Sequence, residues 1–248
     1  DNRSVVLVTR GNRAKTGAEY LDPSVRQREP GALKVFEYRD GVLGKEASVA
    51  PGDGYHFGPR HLDFHTRGPW VYVSLETQNR LSVHKREGGR VLAEPLFTRE
   101  ILADPAQATQ LQRAGTVHVH PNGRVVYCVN RADKTRPFEG RDVLIEPDNT
   151  FAVFSINPDT GEPRLIQHID TAGISARTFS IDPSGSMLVA ANAETFWVKK
   201  NERDEVRLVP ANLAAFRIQE DGRLEFVRKY DIELGPRQSQ TWMGIVPF

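Results

Sequence analysis

Short runs in which apolar and polar residues alternate cover most of the chain, and this period of two is typical of β-strands. Three stretches repeat one order of strand, turn and strand, and they begin at Arg60, Thr116 and Arg177. A third apolar strand and a hairpin follow each of them. The turns and hairpins contain glycine, which adopts the positive φ that tight turns need. The pattern therefore predicts an all-β chain built from a repeated four-stranded antiparallel unit.

The repeats lie 55 and 62 residues apart when they are aligned on His65, His120 and Asp182. Repetition on this scale, built from short strands, is typical of a β-propeller whose blades surround a central axis. We predict one propeller domain over residues 1–248, with about four blades of sequence. The repeats cover residues 1–57, 58–114, 115–175 and 176–239, and residues 240–248 are predicted to form a closing strand that completes the first blade. We expect further blades before residue 1; the alternative is a four-bladed ring.

Long connections between the second and third strands all emerge on one face of this propeller. They cover residues 10–31, 131–149 and 193–211, whereas the second repeat crosses with residues 77–79 only. Loops on a rigid scaffold are where binding and catalytic residues tend to lie. The pattern therefore predicts a site on this face, around the axis, and leaves the three connections as loops.

Composition narrows the classes of partner. A formal net charge of +1 gives no electrostatic support for nucleic-acid binding, and apolar runs of five to six residues are too short for a membrane-spanning helix. The single cysteine, Cys128, excludes an internal disulfide and lies within a predicted strand as a small buried side chain. No signal peptide is visible, so we expect a cytoplasmic protein, or a periplasmic one if a targeting segment is removed. Nothing in the composition indicates the oligomeric state.

Charged residues occupy equivalent positions in the repeats on the predicted site face. Arg60 and Arg177 begin first strands, and Arg10, Glu76 and Arg131 end second strands. We therefore expect Arg60 and Glu76 to lie side by side near the channel mouth. Several arginines around one carboxylate suit an anionic, oxygen-rich ligand and a single acid or base. The alternative is a set of ion pairs that only stabilises the hairpin.

Two histidines are further candidates for the site. His61 follows Arg60 and is a second candidate base, because imidazole titrates near neutral pH. His118 shares its repeat position with Asp63 and Ser180, a polar position that is expected to line the channel and contact substrate. His65 and His120 precede turns at the opposite face and are interpreted as structural. No spacing of histidine or cysteine indicates a metal site, and no cofactor-binding motif is present.

Three segments carry a resemblance to a known family. They are residues 58–65 continuing through 70–76, residues 118–127 with Asn130-Arg131, and residues 176–185 with Ala191-Asn192. Together they resemble the lactonase family of seven-bladed β-propellers, which includes propeller-type 6-phosphogluconolactonases and the fungal 3-carboxy-cis,cis-muconate lactonizing enzyme. The resemblance implies catalytic roles for Arg60, Glu76 and Arg177, and about three more blades on the N-terminal side. It departs from the family in two places: no upstream histidine is present, and Ala193 replaces a common glutamine.

Three functions follow as hypotheses. The first is a hydrolase of an anionic sugar-acid lactone, in which arginines hold the anion and Glu76 or His61 activates water, with no cofactor required. The second is a carboxymuconate-type cycloisomerase that uses the same arginines for a dicarboxylate. The third is a propeller without catalytic activity that binds a ligand or a protein on its loop face.

Overall fold

The structure is a computed structural model that describes residues 3–11, 30–105, 112–132, 135–145, 148–199, 205–235 and 238–246. Within these ranges it contains strands and one short 3-10 turn, Pro51–Gly54. The first strands are β1 (Ser4–Thr9), β2 (Ala32–Arg39), β3 (Val42–Val49), β4 (Pro59–Phe64), β5 (Trp70–Leu75), β6 (Arg80–Glu87) and β7 (Arg90–Glu100). The next are β8 (Gln112–Val119), β9 (Val125–Ala132), β10 (Arg136–Phe138), β11 (Arg141–Ile145), β12 (Thr150–Ile156) and β13 (Pro163–Asp170). The last are β14 (Ala176–Ile181), β15 (Met187–Asn192), β16 (Phe196–Lys199), β17 (Val206–Val209), β18 (Asn212–Ile218) and β19 (Leu224–Asp231).

Three of the sheets are the predicted four-stranded antiparallel blades. Their strand orders are β4-β5-β6-β7, β8-β9-β12-β13 and β14-β15-β18-β19, and a three-stranded sheet, β1-β2-β3, precedes them. The inner strands contact one another in chain order, β1 with β4, β4 with β8 and β8 with β14. The sheets are thus stacked face to face. The first strand of each complete blade is innermost, as the repeat pattern predicts for a propeller, and in the three-stranded sheet β1, a second strand of the repeat, takes this place.

The hydrophobic core lies between successive sheets. Val71 and Val73 of β5 pack toward the first sheet, whereas Tyr72 on the other face of β5 packs toward the third. Every residue of β5 is buried, because a second strand has a neighbouring blade on both faces. Burying one such apolar side chain stabilises the fold by about 1.5–3 kcal/mol. The stability of each blade therefore depends on its neighbours.

Four side chains join neighbouring blades at the face that carries the first turns, and we call this the turn face. The imidazole Nε2 atoms of His65 and His120 lie 2.8 Å from the carbonyl oxygens of Gly123 and Gly185 in the next blade. The hydroxyls of Tyr72 and Tyr127 donate to the carbonyls of Gly161 and Gly222, at 2.8 and 2.9 Å. These four side chains are the turn-face residues. The histidines are structural, as the sequence predicted.

Glycine is required where the turn-face histidines approach. Gly185 has a φ of +75°, and a Cβ atom there would lie 2.5 Å from Cε1 of His120. A larger residue would therefore be strained in its backbone and would also collide with the imidazole.

Two of the three connections that are predicted to be loops contain β-strands instead. Within residues 131–149 and 193–211 the chain forms β10, β11, β16 and β17, which pair as one four-stranded sheet that we call the insertion sheet. Its central pair, β11 with β16, is parallel, and Leu144, Val198 and Val209 form its buried core. Each hairpin alone would leave the backbone hydrogen-bonding groups of β11 or of β16 unpaired at a sheet edge. The pairing of β11 with β16 satisfies these groups on both strands. Most of the third predicted loop, residues 12–29, lies outside the described residues.

Within the described residues 240–246, the predicted closing strand is not formed. Residues 240–246 have no strand pairing, and 73% of the surface of Trp242 is exposed. Gln240 instead donates from its backbone N–H to the carbonyl of Ala193 at 2.9 Å and from Nε2 to that of Asn192 at 3.0 Å. This segment is therefore held at the end of β15, and β1 is an edge strand among the residues that the structure describes. Residues 247–248 lie outside the described part of the chain.

Among the described residues, no helix has the length and apolar character needed to cross a membrane.

Candidate active site

The site face is the face opposite the turn face, where first strands begin and second strands end. All three complete blades have a β-bulge there, at the same repeat position. The pairing of β4 with β5 skips Arg60, that of β14 with β15 skips Arg177, and that of β8 with β9 shifts after Ala114. A bulge turns its extra residue out of the ladder and re-aims the side chain. Arg60 and Arg177 therefore project from the sheets at equivalent places.

Backbone groups released by the bulges are satisfied by hydroxyls of buried side chains. Ser74 donates to the carbonyl of Gly115 at 2.7 Å and accepts from the N–H of His61 at 3.2 Å. Thr116 donates to the carbonyl of Arg177 at 3.0 Å. The bulges are thus fixed by neighbouring strands and blades, which makes the site face a rigid support.

Glu76 is the centre of the site. Its Oε1 atom accepts from Nη1 of Arg60 at 2.7 Å and from Nη2 of Arg131 at 3.2 Å, and its Oε2 accepts from Nη1 of Arg10 at 2.7 Å. The Glu76 side chain is 0% exposed, those of Arg131 and Arg60 are 2% and 13% exposed, and that of Arg10 is 45% exposed. We call these four residues the Glu76 cluster. They come from three successive sheets and carry an excess of positive charge.

Burial and charge act in opposite directions on the pKa values in this cluster. Burial by itself raises the pKa of Glu76, but the charges of Arg60, Arg10 and Arg131 outweigh it and hold the pKa below its usual value. Burial, together with the charges of Arg131 and Arg177, lowers the pKa of Arg60 to about 10 despite the contact with Glu76. Glu76 is therefore ionised at neutral pH, and so is Arg60.

Arg177 stands apart from the other arginines. Its side chain is exposed, and among the described residues it makes no ion pair with Glu76, although its charge acts on Arg60. The predicted cluster therefore forms around Glu76 from Arg10, Arg60 and Arg131, with Arg177 nearby and open to solvent. An arginine without a carboxylate partner can bind an anionic ligand directly.

The two candidate histidines also lie beside the cluster. Burial, followed by the charges of Arg60, His118 and Arg131, lowers the pKa of His61 to about 4, so its imidazole is neutral at pH 7. His118 on β8 has its Nδ1 atom 3.3 Å from Oδ2 of Asp63 on β4, and its ring packs edge-on against Phe179. The sequence alone identifies Asp63 only as the residue at the repeat position of His118. The signal for a contact between them was this shared position on neighbouring inner strands.

In the part of the chain that the structure describes, no group of three or more His, Cys, Asp or Glu residues is arranged to hold a metal ion.

The stacked four-stranded sheets and a polar site at one end of their inner strands define a β-propeller protein. Residues 32–209 match the family described as "Lactonase, 7-bladed beta-propeller", and the chain therefore belongs to that family. This confirms the family and the fold class that the sequence predicted.

Relatives and solved structures agree with the family. The chain is 32% identical over 175 residues to 6-phosphogluconolactonase of Bacillus subtilis, which covers 70% of this chain and 44% of that protein. It is 31% identical over 147 residues to 6-phosphogluconolactonase of Formosa agariphila, covering 58% of this chain and 35% of the relative. The chain thus spans less than half the length of these curated relatives.

Two solved structures are similar in fold. A putative 6-phosphogluconolactonase from Bacteroides uniformis has a TM-score of 0.59 at 17% identity, over 93% of this chain and 61% of that one. The periplasmic gluconolactonase PpgL of Pseudomonas aeruginosa has a TM-score of 0.57 at 20% identity, over 91% and 55%.

Proposed function

We propose that this protein hydrolyses an anionic sugar-acid lactone of the 6-phosphogluconolactone type. The observation that carries the proposal is the Glu76 cluster, in which one buried carboxylate holds three arginines with an excess of positive charge at the site face. A phosphorylated or carboxylated lactone brings the negative charge that such a site binds. The relatives named 6-phosphogluconolactonase support the same substrate class.

The arginines would have two tasks in this reaction. Arg177, and the exposed part of Arg10, would bind the phosphate or carboxylate of the substrate. Arg60 and Arg131 are held in place by Glu76 and would stabilise the negative charge that develops on the lactone carbonyl oxygen. Fixed donors stabilise such charge well because they do not have to reorganise during the reaction.

Neither of the two residues that the sequence favours as general base, Glu76 and His61, is a strong proton acceptor in this structure. Both carboxylate oxygens of Glu76 are engaged by arginines, and its pKa is lowered, so it is a weak base. His61 has a pKa of about 4 and is also a weak base. We assign to Glu76 the role of positioning the arginines, and to His61 a neutral group that contacts substrate.

The test is hydrolysis of 6-phosphoglucono-δ-lactone, followed by acid release and corrected for spontaneous hydrolysis. We expect a higher kcat/KM for this lactone than for the uncharged glucono-δ-lactone. Arg177→Ala should lower kcat/KM for the phosphorylated lactone more than for the uncharged one, since it removes a contact with the anion. The matched control is Arg217→Ala, which removes an exposed arginine of β18 whose pairing with Met187 places it at the turn face.

Two results would contradict the proposal. Lactonisation of a carboxymuconate without sugar-lactone hydrolysis would assign the cycloisomerase activity. Thermal stabilisation by a sugar acid without any turnover would assign a binding protein, because a ligand raises the stability of the state it binds.

We also propose that the reaction takes place in the cytoplasm, where phosphorylated sugars are retained by their charge. Cell fractionation tests this, and recovery in the periplasm would contradict it.

A further inference from the structure

A histidine and a carboxylate from neighbouring blades form a pair beside the Glu76 cluster. Nδ1 of His118 on β8 lies 3.3 Å from Oδ2 of Asp63 on β4. About one third of each side chain is exposed, at 35% for His118 and 32% for Asp63. The pair is therefore packed enough to have a defined geometry and open enough to meet a small molecule.

Asp63 is fixed by two backbone groups as well as by the imidazole. Its Oδ1 accepts from the N–H of Phe64 at 2.8 Å, and its Oδ2 accepts from the N–H of Val119 at 2.9 Å. A carboxylate only accepts hydrogen bonds, so Nδ1 of His118 is the donor in this contact and carries a proton. Its Nε2 atom is then left as an acceptor, which is the state a general base needs.

The pair lies next to the arginines that would bind the lactone. Asp63 and His61 are two residues apart on β4 and therefore lie on the same face of the strand. Arg60 and Arg131, and His118 when it is protonated, each lower the pKa of His61, so all three lie near this residue. Arg60 and Asp63 are three residues apart on β4, so a lactone that contacts both Arg60 and His118 would lie along this part of the strand.

We propose that His118 is the general base of the lactone hydrolysis and that Asp63 is a positioning residue that fixes its tautomer. This inference rests on the proposed function. Nε2 of His118 takes a proton from water while the water oxygen forms a bond to the lactone carbonyl carbon. The carbonyl oxygen becomes an oxyanion that Arg60 and Arg131 stabilise. The bond between this carbon and the ring oxygen then breaks, and His118 returns the proton to the ring oxygen, giving the open hydroxy acid.

Water, rather than a serine, is the nucleophile in this assignment. Ser180 occupies the equivalent position on β14, so Asp63, His118 and Ser180 follow one another around the inner strands. Among the described residues, however, no hydrogen bond joins the Ser180 hydroxyl to His118. Ser180→Ala is therefore expected to change kcat by no more than about threefold. A loss as large as that of a His118 variant, with an acyl-enzyme detected by mass spectrometry, would overturn the assignment to water.

The experiment compares His118→Gln and Asp63→Asn in the full chain with 6-phosphoglucono-δ-lactone as substrate. We expect kcat to fall about a hundred- to ten-thousand-fold for His118→Gln, with little change in KM. Asp63→Asn should lower kcat with the same signature, because one amide oxygen cannot accept from both backbone N–H groups and the imidazole as two carboxylate oxygens do. The matched control is His120→Gln, directly after the end of β8, which removes a turn-face contact to Gly185 and should lower Tm while kcat is unchanged.

Nitrogen NMR of the protein with labelled histidine measures the tautomer of His118 independently of catalysis. We expect the Nδ1–H tautomer for His118 in the wild type, and a weaker preference for it in Asp63→Asn. An Nε2–H tautomer in the wild type would overturn the inference, and so would an active wild type whose His118→Gln variant keeps its kcat. If the wild type hydrolyses no lactone, the proposed function itself fails, and the assignment of a base fails with it.

Discussion

The turn face and the site face lie at opposite ends of the same strands, and the blades repeat their side chains at the first but not at the second. At the turn face, blades repeat the same side chains with the same partners: His65 and His120 bind the next turn, and Tyr72 and Tyr127 bind the next hairpin. At the site face, equivalent positions differ, with Arg10, Glu76 and Arg131 at the ends of second strands. Every pair of blades needs the first kind of contact. A binding site needs different groups around one point, so the repeat is broken where the chemistry is expected.

The largest effect is expected where the site face is held together by one carboxylate. Glu76→Gln should lower the free energy of unfolding by about 3–5 kcal/mol, because it removes the buried carboxylate that is paired with the Arg60 guanidinium. Urea denaturation measures this. The control is Glu100→Gln, whose exposed carboxylate lies 3.7 Å from Arg80 and should change stability by less than about 1 kcal/mol. Equal effects of the two substitutions would show that the site face does not depend on Glu76.

A glycine substitution tests the turn face. Gly185→Ala and Gly140→Ala both place alanine at a φ of +75°, but only at Gly185 does the new Cβ meet the His120 imidazole. We expect Gly140→Ala to cost about 1–2 kcal/mol from the backbone alone. Gly185→Ala should cost about 1–3 kcal/mol more, because the imidazole has to move.

A double variant sharpens this result. In a His120→Ala background, Gly185→Ala should cost no more than Gly140→Ala. A cost that stays high there would place the strain elsewhere in the turn.

The pH dependence of stability should reveal His61 at the site face. Its pKa is about 4 in the folded chain against 6.5 as its ordinary value, so below pH 6.5 the unfolded chain binds more protons. Stability should therefore fall as the pH drops from 6.5 to 4, by on the order of 2 kcal/mol from this residue. His61→Asn should remove that part of the slope in chemical denaturation curves. The control is His56→Asn, because the side chain of His56 is exposed. If His61→Asn leaves the slope unchanged, the assignment to His61 is wrong.

The smallest effect concerns a single hydroxyl of the turn face. Tyr127→Phe removes a buried hydrogen bond to the carbonyl of Gly222 and should cost about 1 kcal/mol. Tyr230→Phe, at an exposed position of β19, should have no measurable effect on Tm. If the two variants unfold at the same temperature, the tyrosines of the turn face do not join the blades.

The sequence predicted what depends on local pattern and on the repeat. Period-two alternation identified the strands of the blades, and alignment of the repeats brought Arg60 and Glu76 together, which the structure confirms at 2.7 Å. The bulges that aim Arg60 and Arg177 left no local signal, because a bulge depends on how two strands are paired.

Contacts between segments that are far apart in the sequence could not be predicted from the local pattern of apolar and polar residues. Strands β10 and β16 are three and four residues long, and the parallel pairing of β11 with β16 joins two connections that belong to different blades. The pair of Asp63 and His118 likewise requires knowing how neighbouring inner strands are staggered. The apolar residues near Trp242 have the composition of a strand, but a strand needs a partner, and this segment has none among the described residues.

The bulge shared by the inner strands has a consequence for how specificity changes in evolution. Its residue stands outside the hydrogen-bond ladder, so an exchange of the exposed Arg177 for another side chain leaves the pairing of the sheet intact. Mutations there alter charge and shape at the site face without disturbing the fold that supports it. One scaffold can therefore acquire a new substrate through single substitutions, each of them acceptable to folding on its own.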